Sequence, residues 1–470
     1  MHMATTPAGG DVNDTHSKLN PSRVREVQQP NSRESLCEIV SSAASMGTKI
    51  SIAGARHAMG GQQFGADTVL CDTRGLNKLI HFDEARGVAE IEAGATWPEV
   101  VQALHASQAG IAHPWTIIQK QTGADQLTIG GAVGANIHGR GLMMKPFVDD
   151  IESLLLVNAE GELLRCSRTE NRELFQLVVG GYGLFGVVYS VSLRLARRRK
   201  MRRVVEITTT DTIIAQFADR VQAGFTFGDF QFATDERSPD FLHRGVFACY
   251  EDVAMDTPIP LGQQELSAQQ WQALIGLAHT DKAQAYERYA AHYLSTNNQV
   301  YRSDTMQMST YITDYHKTLD LQSGKCGSEM ITELYVPRNA LSDFTRVCAA
   351  DFRRNGANLI YGTIRLIERD DETFLPWARE PWACIVFNLH VDHTPIGILQ
   401  AADAFRQLID RALEFGGTYY LTYHRFATPE QLRAGYPQFD AFKELKRSYD
   451  PNQVFSSDWY RHYVGAGLMP

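Results

Sequence analysis

Residues Asn171 to Leu195 read NRELFQLVVGGYGLFGVVYSVSLRL, and the order of elements within this stretch separates two folds. Gly181, Gly183 and Gly186 have the GxGxxG spacing of a dinucleotide-binding turn, and Glu206 lies where it could imitate the acid that holds a ribose. That turn runs from a strand into a helix. Here NRELFQLVV has helical spacing upstream, whereas VVYSVSLRL alternates faces with period two downstream, as a strand does. The order is reversed, which argues against a nicotinamide-binding parallel fold.

Two further glycine-rich segments lie upstream. The apolar run KISIA empties into Gly54-Ala55-Arg56-His57-Ala58-Met59-Gly60-Gly61, a loop in which backbone N–H groups can converge on a phosphate without obstruction by Cβ atoms. Thr122 to Gly141, TGADQLTIGGAVGANIHGRG, interleaves six glycines with small apolar residues and one histidine. Such a stretch permits close backbone approach to a ligand or to another element. Taken singly, each segment reads equally well as a tight structural turn.

The surrounding pattern is α+β. AEIEA alternates faces, while TWPEVVQALHASQAG has helical spacing with Thr96 as N-cap, Pro98 in the first turn and Gly110 beyond the end. After the basic run from Arg197 to Arg203, longer helices and strands follow, including strands at MITELYVP, NLIYGTIRLI and WACIVFNLHV. An amphipathic helix from Ile398 to Leu413 closes at Gly416-Gly417, and the tail helix FDAFKELKRSY ends at Asp450-Pro451. The expected organisation is a disordered N-terminus (residues 1–19), a nucleotide-binding domain (20–200), a substrate-binding cap (201–428) and a C-terminal segment packing back near the cofactor (429–470).

A chain of 470 residues exceeds what one hydrophobic core usually serves. Composition is that of a globular protein, with 44% hydrophobic and 21% charged residues, and no run is long and apolar enough to span a membrane. The net charge of -9 argues against nucleic acid. The basic run reads either as a solvated interdomain segment or as weakly attracted to an acidic surface. Seven scattered cysteines without a CxxC pair favour reduced thiols, and with no basic-then-apolar leader in view a cytoplasmic location is expected.

Together, in this order and spacing, the three glycine-rich segments resemble the vanillyl-alcohol-oxidase flavoproteins, whose FAD domain is of the p-cresol-methylhydroxylase type. The resemblance covers Val24 to Leu195 well and the remainder more loosely. Matched residue by residue, it assigns cofactor binding to Gly54, Ala55, Arg56, His57, Ala58, Gly60 and Gly61 in the first segment, and to Thr122, Gly123, Thr128, Gly130, Gly131, His138 and Gly139 in the second. In the third it assigns Gly181, Gly186 and Val187. In relatives with histidine at the position of His57, the imidazole is bonded to the flavin 8α-methyl carbon; the other reading is a histidine that only hydrogen-bonds the cofactor. Some relatives carry a second link through a cysteine in the second segment, but Thr122–Gly141 contains none, so a bicovalent flavin is not expected.

The implied activity is hydride transfer from a CH–OH group of a sugar, polyol, lactone or related alcohol to FAD, with oxygen or another compound reoxidising the flavin. The alternatives are a non-covalent FAD dehydrogenase or epimerase half-reaction on a sugar, lipid-linked or free, and a nucleotide-binding protein without redox activity. Alternation places Glu333 with Tyr335, Thr363 with Arg365, and Asn388 with His390 on shared strand faces, each face either solvent-exposed or lining a polar cavity. Arg365 matches an arginine of the alditol-oxidising branch, although Thr363 stands where that branch has glutamate. The C-terminal stretch resembles the branch that oxidises decaprenylphosphoryl ribose, except that its Y-x-x-K pair is replaced by Tyr420-Leu421-Thr422-Tyr423. The expected catalytic set is therefore Arg365, Glu333, Asn388 and His390, with Tyr423 or His424 handling the hydroxyl proton. No metal site is read: on a strand, His390 and Asp392 face one way and His393 the other. Nothing in the sequence links a cysteine to a histidine.

Overall fold

The computed structural model describes residues 9–309, 312 and 315–465. In the N-terminal half, strands β1 (Glu26–Gln28), β2 (Ile50–Ala53) and β3 (Val69–Asp72) form a parallel sheet with β3 central. Helix α1 (Arg33–Ser45) connects β1 to β2; Ser32 caps it by accepting the amide of Ser35, and Leu36, Val40 and Ala43 form its buried stripe.

The second sheet is antiparallel. It comprises β4 (Leu79–Asp83), β5 (Val88–Glu92), β6 (Trp115–Ile117), β7 (Ile151–Val157), β8 (Leu163–Ser167) and β9 (Val187–Arg197), ordered β8-β7-β9-β5-β4 with β6 also on β9. Helices α2 (Trp97–Ser107), α3 (Ile129–Ala135) and α4 (Arg172–Val178) belong to this half. The helix-to-strand order around Gly181–Gly186 is thus present as α4 and β9. Helix α2 begins as its sequence dictates: the Glu99 carboxylate bonds the Thr96 amide at 2.8 Å, and Pro98 occupies the first turn.

Beyond Arg197 an eight-stranded antiparallel sheet takes over. Its strands are β10 (Lys200–Thr209), β11 (Phe225–Phe232), β12 (Arg244–Val253), β13 (Val300–Arg302), β14 (Gly327–Pro337), β15 (Leu359–Ile367), β16 (Trp382–Asp392) and β17 (Thr418–Tyr419), in the order β13-β10-β12-β11-β15-β16-β14-β17. Helices α5 (Ile213–Gln222), α6 (Ala268–Thr280), α7 (Lys282–Ser295), α8 (Tyr315–Ser323), α9 (Leu341–Asn355) and α10 (Pro395–Glu414) pack on it. Helix α10 starts at the Thr394 cap with Pro395 in its first turn, and Gly416 follows its end in the left-handed region (φ 77°). Of the predicted face it buries Ala402, Phe405 and Ile409, and Leu413 is half-buried.

The tail helices α11 (Pro429–Gly435) and α12 (Phe439–Tyr449) are followed by a return to the first half, where Phe455 bridges Ile50 in parallel. The large buried side chains Trp97, Trp377 and Trp459 sit in one continuous core that runs through both halves. Full burial of one such side chain contributes about 1.5–3 kcal/mol or more.

Two expectations change. Residues 9–19 are ordered: Asp11–Val12 pairs with Ser22–Arg23, and the Asp14 carboxylate accepts the amides of His16 at 3.0 Å and Ser17 at 2.5 Å. An Asx-type turn, invisible to composition, holds this segment; residues 1–8 of the expected disordered stretch lie outside the described residues. The basic run is paired within the protein as well as partly solvated: Arg197 and Arg202 are exposed, yet most of its charges have partners. Arg198 pairs with Asp304 at 2.8 Å, Arg199 with Asp252 at 2.6 Å, and Arg197 lies over the Trp115 ring at 3.9 Å.

Candidate active site

A cavity of about 920 Å³ opens between the two halves, lined on one side by the three glycine-rich segments and on the other by the eight-stranded sheet with α6 and α7. This is the upper range for a ligand site. The first segment follows β2 and turns at Arg56, a non-glycine residue with φ 62°. The amides of Ala55, Arg56, Ala58 and Met59 meet no acceptor among the described residues. Backbone donors left open around a cavity form a concave anion site, so this loop fits a pyrophosphate.

The second segment is partly helical, which its glycine content concealed. Thr128 caps α3, accepting the Gly131 amide at 3.3 Å. The first two segments also lock together: a Cβ at Gly54 would lie 2.1 Å from Thr128 Oγ1. Glycine is therefore required at position 54 by contact with protein. Gly134 differs, because a Cβ there would meet nothing nearer than 4.0 Å and would project toward the cavity. Gly183 and Gly186 complete this wall.

Of the expected cofactor residues, Gly54, Ala55, Arg56, His57, Ala58, Thr122, Gly123, Thr128, Gly130, Gly131, His138 and Gly186 line the cavity. Gly60, Gly61, Gly139, Gly181 and Val187 do not, and each has another physical reason. Gly61 is left-handed (φ 76°), and its carbonyl accepts the Trp459 amide. Cβ atoms at Gly139 and Gly181 would strike the carbonyls of Lys120 (2.6 Å) and Leu177 (1.9 Å), and one at Gly60 the Gln62 amide (2.7 Å). Val187 begins β9 with its side chain in the core.

His57 is buried, and its Nδ1 lies 2.6 Å from Nε2 of His16. Burial, aided by His16, pushes the His57 pKa down to about 3, so the imidazole is neutral at ordinary pH. His16 comes from the segment expected to be disordered, and nothing in the sequence signalled it.

Opposite stands a polar group centred on Glu333 of β14. His138 Nε2 lies 2.8 Å from Glu333 Oε2; the Tyr335 hydroxyl donates to the same oxygen at 2.9 Å, and the Tyr423 hydroxyl donates to Oε1 at 2.8 Å. Burial alone would raise the Glu333 pKa, but the His138 pairing, the Arg365 charge and the Tyr423 hydrogen bond reverse this and hold it at about 2. Burial and the Glu333 charge push the Tyr423 phenol well above its ordinary value, so it keeps its proton. Arg365 and Asn388 line the same cavity, and Arg365 Nε and Asn388 Oδ1 are buried without a hydrogen-bond partner. Orphaned groups of this kind are costly unless a ligand satisfies them.

Cys384 brings a thiol that the sequence did not connect to any histidine. Its Sγ lies 3.9 Å from both His138 Nε2 and Glu333 Oε2. Burial and the nearby carboxylate push the thiol pKa well up, so it is no nucleophile.

Two expected catalytic residues stand elsewhere. His424 does not line the cavity: its Nε2 lies 3.2 Å from Thr332 Oγ1, on the opposite face of β14 from Glu333, and its ring packs on Phe405 of α10. Burial lowers its pKa to about 3. His390 faces the same side as Asn388 but joins a separate cluster around Glu329, with Nδ1 3.3 Å from Glu329 Oε1.

The fold and cavity, with the similarities that follow, are those of an FAD-linked oxidoreductase. Residues 25–167 match the FAD binding domain family. The chain is similar to decaprenylphosphoryl-β-D-ribose oxidase of Mycolicibacterium smegmatis, 23% identical over 410 residues that cover 84% of each chain. It is 22% identical to L-gulono-1,4-lactone dehydrogenase of Mycobacterium tuberculosis over 456 residues, 93% of this chain and 96% of that one. Cytokinin dehydrogenase 8 of Oryza sativa is 30% identical over 179 residues, 34% of this chain and 32% of the relative.

Proposed function

We propose that the protein oxidises a secondary CH–OH carbon of a sugar, polyol or lactone-related alcohol, with FAD linked through His57. The reading rests above all on one arrangement: the partnerless Arg365 and Asn388 atoms facing the cavity beside the buried Glu333–Tyr423 pair. The substrates in the relatives' names, a prenylphosphoryl ribose and a gulonolactone, are consistent with it.

Bound FAD supplies a hydride acceptor. The chain's own groups bind, orient and move a proton. Arg365 donates to the substrate hydroxyl oxygen and stabilises negative charge as it develops there, in a site where burial strengthens the interaction. Asn388 offers Oδ1 to a neighbouring hydroxyl. The Tyr423 oxygen, already donating to Glu333, accepts the substrate proton while its own proton passes to Glu333 Oε1. His138 and Tyr335 keep the carboxylate aimed. The neutral His57 ring would hold the flavin ring, and the open amides beside it in the first segment would hold the pyrophosphate.

Anaerobic bleaching of the flavin with a panel of aldonolactones, polyols, sugars and aryl alcohols tests the reaction. Saturable bleaching by a polyhydroxylated compound is expected; bleaching by aryl alcohols alone would remove the sugar reading. Acid precipitation tests the linkage, since yellow colour remaining in the supernatant would exclude a covalent bond.

A further inference from the structure

The expected site residue His390 belongs to a second cluster. Glu329 of β14 is buried, with Oε1 3.2 Å from Nε2 of His279 and 3.3 Å from Nδ1 of His390. Its Oε2 faces Nε2 of His316 and the Tyr315 hydroxyl. The donor atoms of His279, Glu329 and His390 all lie within 4.8 Å of one another.

We propose that His279, Glu329 and His390 form a site for a divalent cation of the zinc class, with His316 paired to the second carboxylate oxygen of Glu329. Two imidazoles and a carboxylate, with a third imidazole beside them, are the donor set such ions take. Bonds of about 2.0–2.1 Å in a tetrahedron put neighbouring donors about 3.3 Å apart, and the observed separations of 3.2 and 3.3 Å match that edge. A hydrogen-bonded cluster explains the arrangement less well. His279 Nε2 is buried beside Glu329 Oε1 but makes no hydrogen bond, and its side chain is only 9% exposed. His390 also has the support a metal ligand needs, because its other nitrogen, Nε2, lies 3.5 Å from Asp392 Oδ1. His393, three positions beyond His390, stays outside and meets Ser328 Oγ at 2.8 Å.

The four residues come from α6, α8, β14 and β16. Neither α6 nor α8 has a fully buried side chain, so apolar burial contributes little to docking them. An ion here would clip α6 to the sheet, while the His316–Glu329 pair holds α8 beside it. Leu274 and Ile275 of α6 and Tyr315 of α8 line the main cavity, so the clip would also shape the substrate-facing wall.

The test is titration of tag-free, chelator-treated, FAD-loaded protein with cobalt(II), read as d–d absorption beyond the flavin bands. Stoichiometric, saturable tetrahedral bands that zinc displaces are expected. Asp392→Asn should weaken cobalt about 10- to 100-fold, and the His279→Gln/His390→Gln variant should lose the bands while the flavin spectrum persists. Absence of a saturable band in the unaltered protein, or bands that survive in the double variant, would overturn the proposal. The titration of the unaltered protein is decisive by itself, whether or not a variant folds.

Discussion

At the residue scale, Glu333 is the centre of the buried polar group that faces the cavity. Its folded pKa of about 2 lies below the ordinary 4.5, so its contribution to stability is complete above pH 4.5 and is lost as pH falls toward 2. Thermal midpoints across that window should fall less steeply for Glu333→Gln than for the unaltered protein; parallel curves would contradict the assigned electrostatics. Tyr423→Phe removes the hydroxyl to which the proposed mechanism assigns the proton and should slow anaerobic flavin reduction about 100- to 10,000-fold with the flavin retained. An unchanged rate would place the proton transfer elsewhere. Arg365→Ala removes a charged hydrogen bond and should raise the substrate concentration for half-maximal reduction about 10- to 100-fold. If that concentration does not move, Arg365 does not touch substrate.

At the element scale, α3 is a short glycine-rich helix placed where side chains would intrude on the cavity. Gly134→Ala adds a methyl group that meets no protein atom nearer than 4.0 Å. It should stabilise the flavin-free protein by about 0.5–1 kcal/mol through helix propensity while weakening flavin binding. In a His57→Ala background, where flavin would not be tethered, urea unfolding of the flavin-free protein and flavin titration measure the two effects separately; a change of the same sign in both would show that Gly134 serves packing. Strand β14 is the other decisive element. Its alternation puts Glu329, Ile331, Glu333 and Tyr335 on one face, so one strand serves both the redox cavity and the histidine cluster.

At the scale of the whole molecule, the cavity exists only where the two halves meet, and a ligand filling it ties them together. A covalently held flavin cannot leave, so added FAD should not change the thermal midpoint of the unaltered protein. His57→Ala should make the midpoint depend on free FAD, with stabilisation of about 2.7 kcal/mol at a hundredfold excess over Kd. Equal insensitivity in both proteins would argue that His57 is not the tether.

The sequence by itself determined the α+β class, the helix-to-strand order around Gly181–Gly186 and the position of the three glycine-rich segments, because backbone conformation and face alternation are local properties; their assignment to a cofactor came from family resemblance. Alternation likewise put Arg365, Asn388 and Glu333 on definite strand faces, but whether those faces met solvent or a cavity depended on what packs over them. Tertiary structure alone brought His16 to His57, turned His424 away toward Thr332, and gathered His279, Glu329 and His390 from distant positions. Such encounters are set by strand register and by the docking of helices on the sheet, which no local spacing encodes.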